Sequence, residues 1–282
     1  MRRPFLALFV SPAVLVAAGF VLAMAAVLQY AVLAHVPGEL EPGGFSFSNF
    51  REMTKPLYAG VFLDTVRICF LTAVLSLLAA YPLALALVRA RNAYVRSAIL
   101  IISVTPLFLG EVIRTYAWII VLGTRGFING ALMSLGLIER PLSLMFTETG
   151  VLIALVHVTL PVVVIMLAAA ISHIDRDLEK AAAALGAKPL RVFLTVTLPL
   201  SMPGIVAGLT TGFAWTFSAF ATPQLIGGGK VNMVSNLVYS LGFASFNFPF
   251  AAALSVAGLV LTAIALSAFK LLLRPLNRVG AR

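Results

Sequence analysis

Six apolar stretches of membrane length dominate this sequence. They cover about residues 5–33, 61–88, 98–122, 151–172, 205–226 and 250–273. A helix needs roughly 17–25 predominantly apolar residues to cross the hydrocarbon core of a bilayer, and each stretch meets that requirement. Lipid offers no hydrogen-bond partners, so backbone groups must be satisfied within the segment, as an α-helix does. We therefore expect an all-α polytopic membrane protein with six transmembrane helices, forming a single membrane domain over residues 1–282.

The composition supports a membrane protein over any soluble class. Of the residues, 61% are hydrophobic and only 11% are charged, whereas soluble domains average about 25% charged residues. The net charge of +10 would suggest a nucleic-acid partner in a soluble protein. In a membrane protein, an excess of Lys and Arg marks the cytoplasmic loops. We therefore predict membrane lipid, and no nucleic acid, as the surroundings of this chain.

The distribution of positive charge predicts the orientation. When the N-terminus is placed in the cytoplasm, most of the 20 Lys and Arg residues fall in segments on the cytoplasmic side. Both termini are then expected to be cytoplasmic. The first apolar run is far longer than the roughly 7–15 residues of a signal-peptide core, so we expect it to be retained as a span.

A charged insert lies between the fourth and fifth apolar stretches, on the predicted cytoplasmic side. Asp175 or Asp177 is suited to cap the start of a helix, and the alanines that follow are strong helix formers. Gly186 and then Pro189 are typical of a helix end. The insert therefore predicts a short helix of two to three turns. On composition alone, an ordinary amphipathic loop is the alternative.

The spacing within the insert resembles the EAA loop of ABC importer permeases, which has Glu-Ala-Ala, three further residues, Gly, nine residues, Ile or Val, one residue, and Leu-Pro. In that family the loop is a coupling helix that sits in a cleft of the ATP-hydrolysing subunit, and residues 173–203 correspond to it here. The chain departs from the motif at one position, where Lys180 replaces the usual glutamate and an acid occurs one residue earlier. The resemblance implies an ATPase-coupling role for Glu179, Lys180, Ala181, Ala182, Leu185, Gly186, Ala187 and Pro199.

Other segments resemble the spermidine/putrescine branch of these permeases. They include residues 112–118 around the third apolar stretch, 126–129 after it, and 198–205 at the start of the fifth. The resemblance implies the membrane domain of a type I ABC importer in a bacterial inner membrane. It also implies a polyamine or related cationic amine as substrate. Other substrates of the branch, such as amino acids, opines or phosphonates, remain alternatives.

The same resemblance implies the partners of the chain. These are a homodimer of ABC ATPase subunits, a second homologous permease, and a soluble extracytoplasmic substrate-binding protein. No phosphate-binding loop of the form GxxxxGK[ST] occurs in the sequence, so ATP and Mg are expected on the ATPase subunits and this chain is not expected to be an enzyme. We expect no cofactor and no metal on this chain. An ion-coupled secondary transporter, which calls for inverted repeats or conspicuous intramembrane charge, is the rival from another class, and a structural subunit is a second.

Charged residues within the apolar stretches are candidates for the substrate pathway, because ionisable groups in a membrane are costly. Glu111 and Arg114 have the i,i+3 spacing of one helical face. The alternative is a mutually neutralising structural pair, and the same alternative applies to Asp64 and Arg67. A lone histidine, His157, is expected to be a hydrogen-bonded packing residue. Aromatic faces bind organic cations, which adds Tyr116, Trp118, Trp215, Phe217 and Phe220 as pathway candidates, with plain packing as the alternative.

Overall fold

The structure is a computed structural model that describes the backbone of residues 3–277 and the side chains of residues 10–271. Its helices are α1 (Arg3–Ala31), α2 (Ser48–Met53), α3 (Pro56–Arg89), α4 (Ala93–Phe108), α5 (Glu111–Leu122), α6 (Phe127–Ser134), α7 (Glu148–Ser172), α8 (Arg176–Ala184), α9 (Pro189–Val192), α10 (Leu198–Leu200), α11 (Met202–Phe217), α12 (Ala221–Gly227), α13 (Val234–Tyr239) and α14 (Phe248–Asn277). Two π-helical segments, Phe193–Thr197 and Ser240–Ala244, follow α9 and α13. The all-α prediction is confirmed.

The long helices match most of the predicted spans. Within residues 3–277, five helical segments are long and apolar enough to cross a membrane: Val10–Ala31, Pro56–Arg89, Glu111–Ser134, Glu148–Ser172 and Phe248–Leu271. A sixth span results when Pro189–Leu200 and Met202–Phe217, which meet at a bend of 64°, are counted together. The polytopic prediction is therefore confirmed, with five or six spans.

The third predicted span differs from the structure. It was expected as one helix over residues 98–122, but the chain forms α4 and α5 with a break at Leu109 and Gly110, whose backbones are extended. Glycine adopts non-helical backbone conformations at the lowest cost. The residues on both sides of Gly110 are largely apolar, so the hydropathy of the sequence does not indicate the break. The fifth predicted span is also divided, because α11 ends at Phe217 and α12 begins at Ala221.

The chain divides into two compact units. The first contains Met1–Phe62 and Val234–Leu261, of which the structure describes residues from 3 onward. In it the side-chain amide of Asn49 donates to the carbonyl oxygens of Ala31 and Leu33, which fastens α2 to the end of α1. Tyr58 packs edge-on against Phe250, with ring centroids 4.9 Å apart.

The second unit, Leu63–Met233 with Thr262–Arg282, holds the larger core. Here α11 packs against α7 through three glycines at a spacing of four. A Cβ on Gly204 would lie 2.4 Å from the Cβ of Ala170, while Gly208 and Gly212 face Val163. Small residues at this spacing allow two membrane helices to approach closely. The closely packed pair α7–α11 is thus the scaffold on which the segment between them, including α8, is held.

Candidate functional site

The predicted helix of the charged insert is present as α8. The side chain of Asp175 accepts a hydrogen bond from the backbone N–H of Asp177 at 2.9 Å, which caps the helix start as predicted. At the other end, Gly186 has φ +85°, its N–H donates to the carbonyl of Ala183, and the next N–H donates to the carbonyl of Ala182. This pair of bonds is a Schellman ending, which needs a residue in the left-handed region. The sequence prediction of this helix and both of its ends is confirmed.

The two faces of α8 differ in exposure. On the outer face, Leu185 is 90% exposed and Leu178 is also exposed. Lys180 and Asp177 are also exposed, and Lys180 Nζ donates to Asp177 Oδ1 at 2.7 Å. That hydrogen bond and the positive charge of Lys180 lower the pKa of the Asp177 carboxyl. The outer face of α8 therefore presents the apolar leucines, and the exposed Lys180–Asp177 ion pair lies further round the helix.

Glu179 lies on the opposite face and points toward the rest of the second unit. Its Oε1 accepts from Arg89 Nη2 at 2.6 Å and from Thr197 Oγ1 at 2.8 Å. Sequence reasoning did not find Arg89 or Thr197 as partners of this carboxylate. Arg89 ends α3, far away in the sequence, and no local spacing relates it to the insert.

The chain beyond α8 is irregular up to the start of α11. In the π-helical segment Phe193–Thr197, the N–H of Leu198 bonds to the carbonyl of Phe193, five residues back. Pro199 then has no N–H to continue the ladder. The Ser201 hydroxyl, next to the 64° bend, lies 2.7 Å from the hydroxyl of Tyr81. Of the predicted coupling residues, Pro199 is thus apart from α8 and belongs to this bend.

The in-span charges Glu111 and Arg114 are near each other but are not a pair. Within the part of the chain that the structure describes, no ion pair joins them. Arg114 is 8% exposed, and its Nη1 donates to the carbonyl of Pro106 at 2.9 Å. Glu111 Oε1 accepts from the backbone N–H of Ala221 at 3.3 Å. The mutually neutralising arrangement is therefore wrong, because each charge instead satisfies a backbone group at a helix break.

The same two side chains line a cavity of about 120 Å³ together with Trp215. Arg114 also reaches a second cavity, of about 250 Å³, whose wall includes Trp118 and His157. There the Trp118 Nε1–H donates to His157 Nδ1 at 3.1 Å. This confirms the expectation that His157 is a hydrogen-bonded packing residue. It also fixes Trp118 by a polar contact that the sequence did not suggest.

The remaining aromatic candidates lie apart from these cavities. Phe217 packs against the core of the second unit, with its ring 6.3 Å from that of Phe213. Tyr116 is exposed, and Phe220 precedes the first residue of α12. The structure thus brings together Glu111 and Trp215, and leaves the other predicted aromatic residues outside their cavity.

Asp64 and Arg67, the second predicted pair within a span, do not form an ion pair with each other among the described residues. Arg67 Nη2 lies 3.1 Å from Glu148 Oε1, and Asp64 lines the same cavity of about 90 Å³ with Lys230. The partner of Arg67 is therefore an acid of α7, and not Asp64. Both side chains of the Arg67–Glu148 pair are partly exposed, so the pair contributes at most about 1 kcal/mol to stability.

This chain is similar to known transporter components. Residues 74–278 match the family described as binding-protein-dependent transport system inner membrane component. The spermidine/putrescine transport system permease protein PotB of Haemophilus influenzae is 33% identical over 83% of this chain and 81% of its own length. Its Escherichia coli namesake is 32% identical over 75% of this chain and 77% of its own. The molybdenum transport system permease protein ModB of H. influenzae is 34% identical over 75% of this chain and 91% of its own length.

Solved structures share the fold. A bacterial alginate ABC transporter, crystallised with its alginate pentasaccharide-bound periplasmic protein, contains a chain that superposes with a TM-score of 0.81. The alignment covers 99% of this chain and 96% of that one, at 18% identity. A chain of the MetNI methionine ABC transporter, in inward-facing form, superposes with a TM-score of 0.61 over 79% of this chain and 99% of its own.

The family match over most of the chain agrees with the helical spans and with the predicted coupling-loop resemblance. Members of this family are multi-pass inner-membrane proteins that form the pore, while separate subunits hydrolyse ATP. The expectation that the chain is not itself the ATPase is therefore confirmed. The chain belongs to the family of binding-protein-dependent transport system inner membrane components and is a permease subunit of a type I ABC importer.

Proposed function

We propose that residues 173–203 are the loop through which this permease docks on its ATPase, within a single membrane domain formed by the whole chain. The observation that carries the proposal is the outer face of α8. Leu185 is 90% exposed there, although α8 is rigidly capped at both ends. Leu178 is also exposed on the same face, and neighbouring exposed apolar side chains on an ordered helix are typical of a binding surface. Ala181 and Ala184 beside it are small enough to admit a close partner.

The partners follow from this assignment. A homodimer of ABC ATPase subunits binds ATP and Mg and receives α8 in a cleft. A second, homologous permease completes the pore, and a soluble extracytoplasmic protein delivers the substrate. ATP binding draws the two docked helices together, and differential affinity for the two states shifts the pore between inward-open and outward-open forms. Because the ATPase is cytoplasmic, docking of α8 on it places both termini of the chain in the cytoplasm. Their positive charges at Arg2, Arg278 and Arg282 lie outside the described residues.

The proposed substrate is a polyamine such as spermidine or putrescine, or a related cationic amine. The PotB relatives carry that substrate in their names. The cavity between Glu111 and Trp215 offers a carboxylate and an aromatic face, which together favour an ammonium group. In this assignment Glu111 and Trp215 line the pathway, with Arg114, Tyr116, Trp118, Phe217 and Phe220 near it.

Arg114 favours a second candidate substrate. Its guanidinium lines the same cavity as Glu111, so the cavity carries both signs of charge. An amino acid or another zwitterion, with an ammonium and a carboxylate, matches such a cavity as well as a polyamine does. A relative named as a molybdenum permease at 34% identity also shows that overall similarity does not select the substrate.

The test is purification of the chain from its native membrane in mild detergent, followed by an ATPase assay. The preparation is assayed alone, with the binding protein, and with the binding protein loaded from a panel of polyamines and amino acids. We expect a co-purifying ATPase that one loaded form stimulates, which also names the substrate. A preparation without ATPase, from cells that still transport, would reject the docking assignment. It would favour an ion-coupled carrier instead.

A further inference from the structure

One carboxylate joins α8 to two elements that enter the membrane domain. Glu179 Oε1 accepts both from Arg89, the last residue of α3, and from Thr197, the last residue of the π-helical segment. The side chains of Arg89 and Glu179 are 18% and 23% exposed, so most of the ion pair is shielded from water. Charge-assisted hydrogen bonds of this kind are about twice as strong as neutral ones.

Little apolar packing supports α8 beside this carboxylate. A cavity of about 360 Å³ lies between α8 and the segment that follows it, walled by Leu85, Ala183 and Phe193 among others. Dispersion contacts are lost across an empty space. The hydrogen bond from Thr197 to Glu179 therefore connects α8 directly to the π-helical segment on this side.

The end of α3 is organised around the same connection. Arg176, the first residue of α8, donates from Nη2 to the carbonyl of Val88 at 2.9 Å. The buried Arg89 Nε has no hydrogen-bond partner within the described part of the structure. Glu179 is thus the anion that compensates the Arg89 guanidinium. Removing one member of such a pair leaves a poorly solvated charge behind.

We propose that Glu179 is a positioning residue that transmits movement of α8 to α3 and to the start of α11, and is not itself a contact with the ATPase. This inference rests on the proposed docking of α8. Docking acts on the exposed leucine face, and the Arg89–Glu179–Thr197 group carries the displacement into the membrane helices on the other side.

The experiment uses the complete importer, reconstituted into liposomes with its ATPase and binding protein. Glu179→Gln and Arg89→Gln are compared singly and together, and uptake per ATP hydrolysed is measured. Glu179→Gln keeps the shape of the side chain and removes only its charge. Each single variant is expected to lower uptake per ATP about tenfold, the scale of a lost hydrogen bond to a charged group. The double variant should be no worse than either single one, because both remove the same interaction.

The control is Glu52→Gln in α2, which removes an exposed ion pair between Glu52 and Lys55. It is expected to leave uptake per ATP unchanged. If a single variant does not accumulate in the membrane, the exchange Arg89→Glu with Glu179→Arg is used, and recovery of accumulation supports the inference. The inference is overturned if either single variant transports normally, or if the effects of the two single variants add in the double variant. It is also overturned if a single variant loses the bound ATPase, or if the charge exchange does not restore accumulation.

A second variant separates this inference from the docking assignment. Leu185→Asp places a charge on the exposed face of α8 and is expected to release the ATPase. If Leu185→Asp keeps the ATPase and normal uptake, the proposed docking is rejected. If it releases the ATPase while the Glu179 and Arg89 effects add, docking stands and the positioning role fails.

Discussion

Gly186→Ala adds one methyl group at a position where only the backbone conformation opposes it. Gly186 has φ +85°, and a Cβ there would meet no atom within 4 Å. The cost is therefore the left-handed conformation itself, about 1–2 kcal/mol for an L-residue other than glycine or asparagine. The chain relieves this strain by opening the two hydrogen bonds that end α8. Docking on the ATPase must then close them again.

The expected effect follows from that cost. A penalty of about 1–2 kcal/mol corresponds to a factor of about 5–30 in an equilibrium constant. We expect Gly186→Ala to weaken ATPase binding by this factor, measured by titrating the ATPase onto the permease complex in lipid nanodiscs. Gly186→Asn should bind nearly normally, because asparagine visits the left-handed region more readily.

The matched control is Gly38→Ala. Gly38 has φ +88°, and a Cβ there also meets no atom within 4 Å, but the residue lies in the loop between α1 and α2. The substitution carries the same strain and should leave ATPase binding unchanged. Equal binding by Gly186→Ala and Gly186→Asn would refute the reasoning, since their backbone strain differs. An effect of Gly38→Ala as large as that of Gly186→Ala would also refute it.

Three further substitutions test other parts of the structure. Gly204→Ala places a methyl group 2.4 Å from the Cβ of Ala170 and should destabilise the α7–α11 contact by about 1–3 kcal/mol. This is measured as a lower Tm of the purified complex, and an unchanged Tm contradicts the close contact. Trp118→Phe removes the hydrogen bond to His157, whose acceptor is only partly buried, so it should cost about 1 kcal/mol in the same Tm assay, and no change contradicts the bond. Glu111→Gln keeps a hydrogen-bond acceptor and removes the negative charge proposed to attract the ammonium group of the substrate. It should therefore raise the KM for polyamine uptake about tenfold, or about 1.4 kcal/mol. An unchanged KM would mean that the substrate binds elsewhere.

Local features of this chain were predictable from its sequence, and distant pairings were not. The ends of α8 follow from Asp175 and Gly186, because a cap and a left-handed C-terminal residue act within one turn. The partner of Glu179 did not follow, since Arg89 is brought to it only by tertiary packing. The break at Gly110 was missed for a different reason. Its neighbours are apolar on both sides, so hydropathy remains continuous where the helix does not.

The charges of the third span have a structural role that is separate from the transport role proposed for them. A helix break at membrane depth leaves backbone groups that water cannot satisfy. The break after α4 exposes the carbonyl of Pro106, which Arg114 satisfies, and the break before α12 exposes the N–H of Ala221, which Glu111 satisfies. These two charges therefore have a structural reason to be present even without a substrate. Breaks are also where helices bend, and Glu111 and Arg114 line the cavity proposed for the substrate.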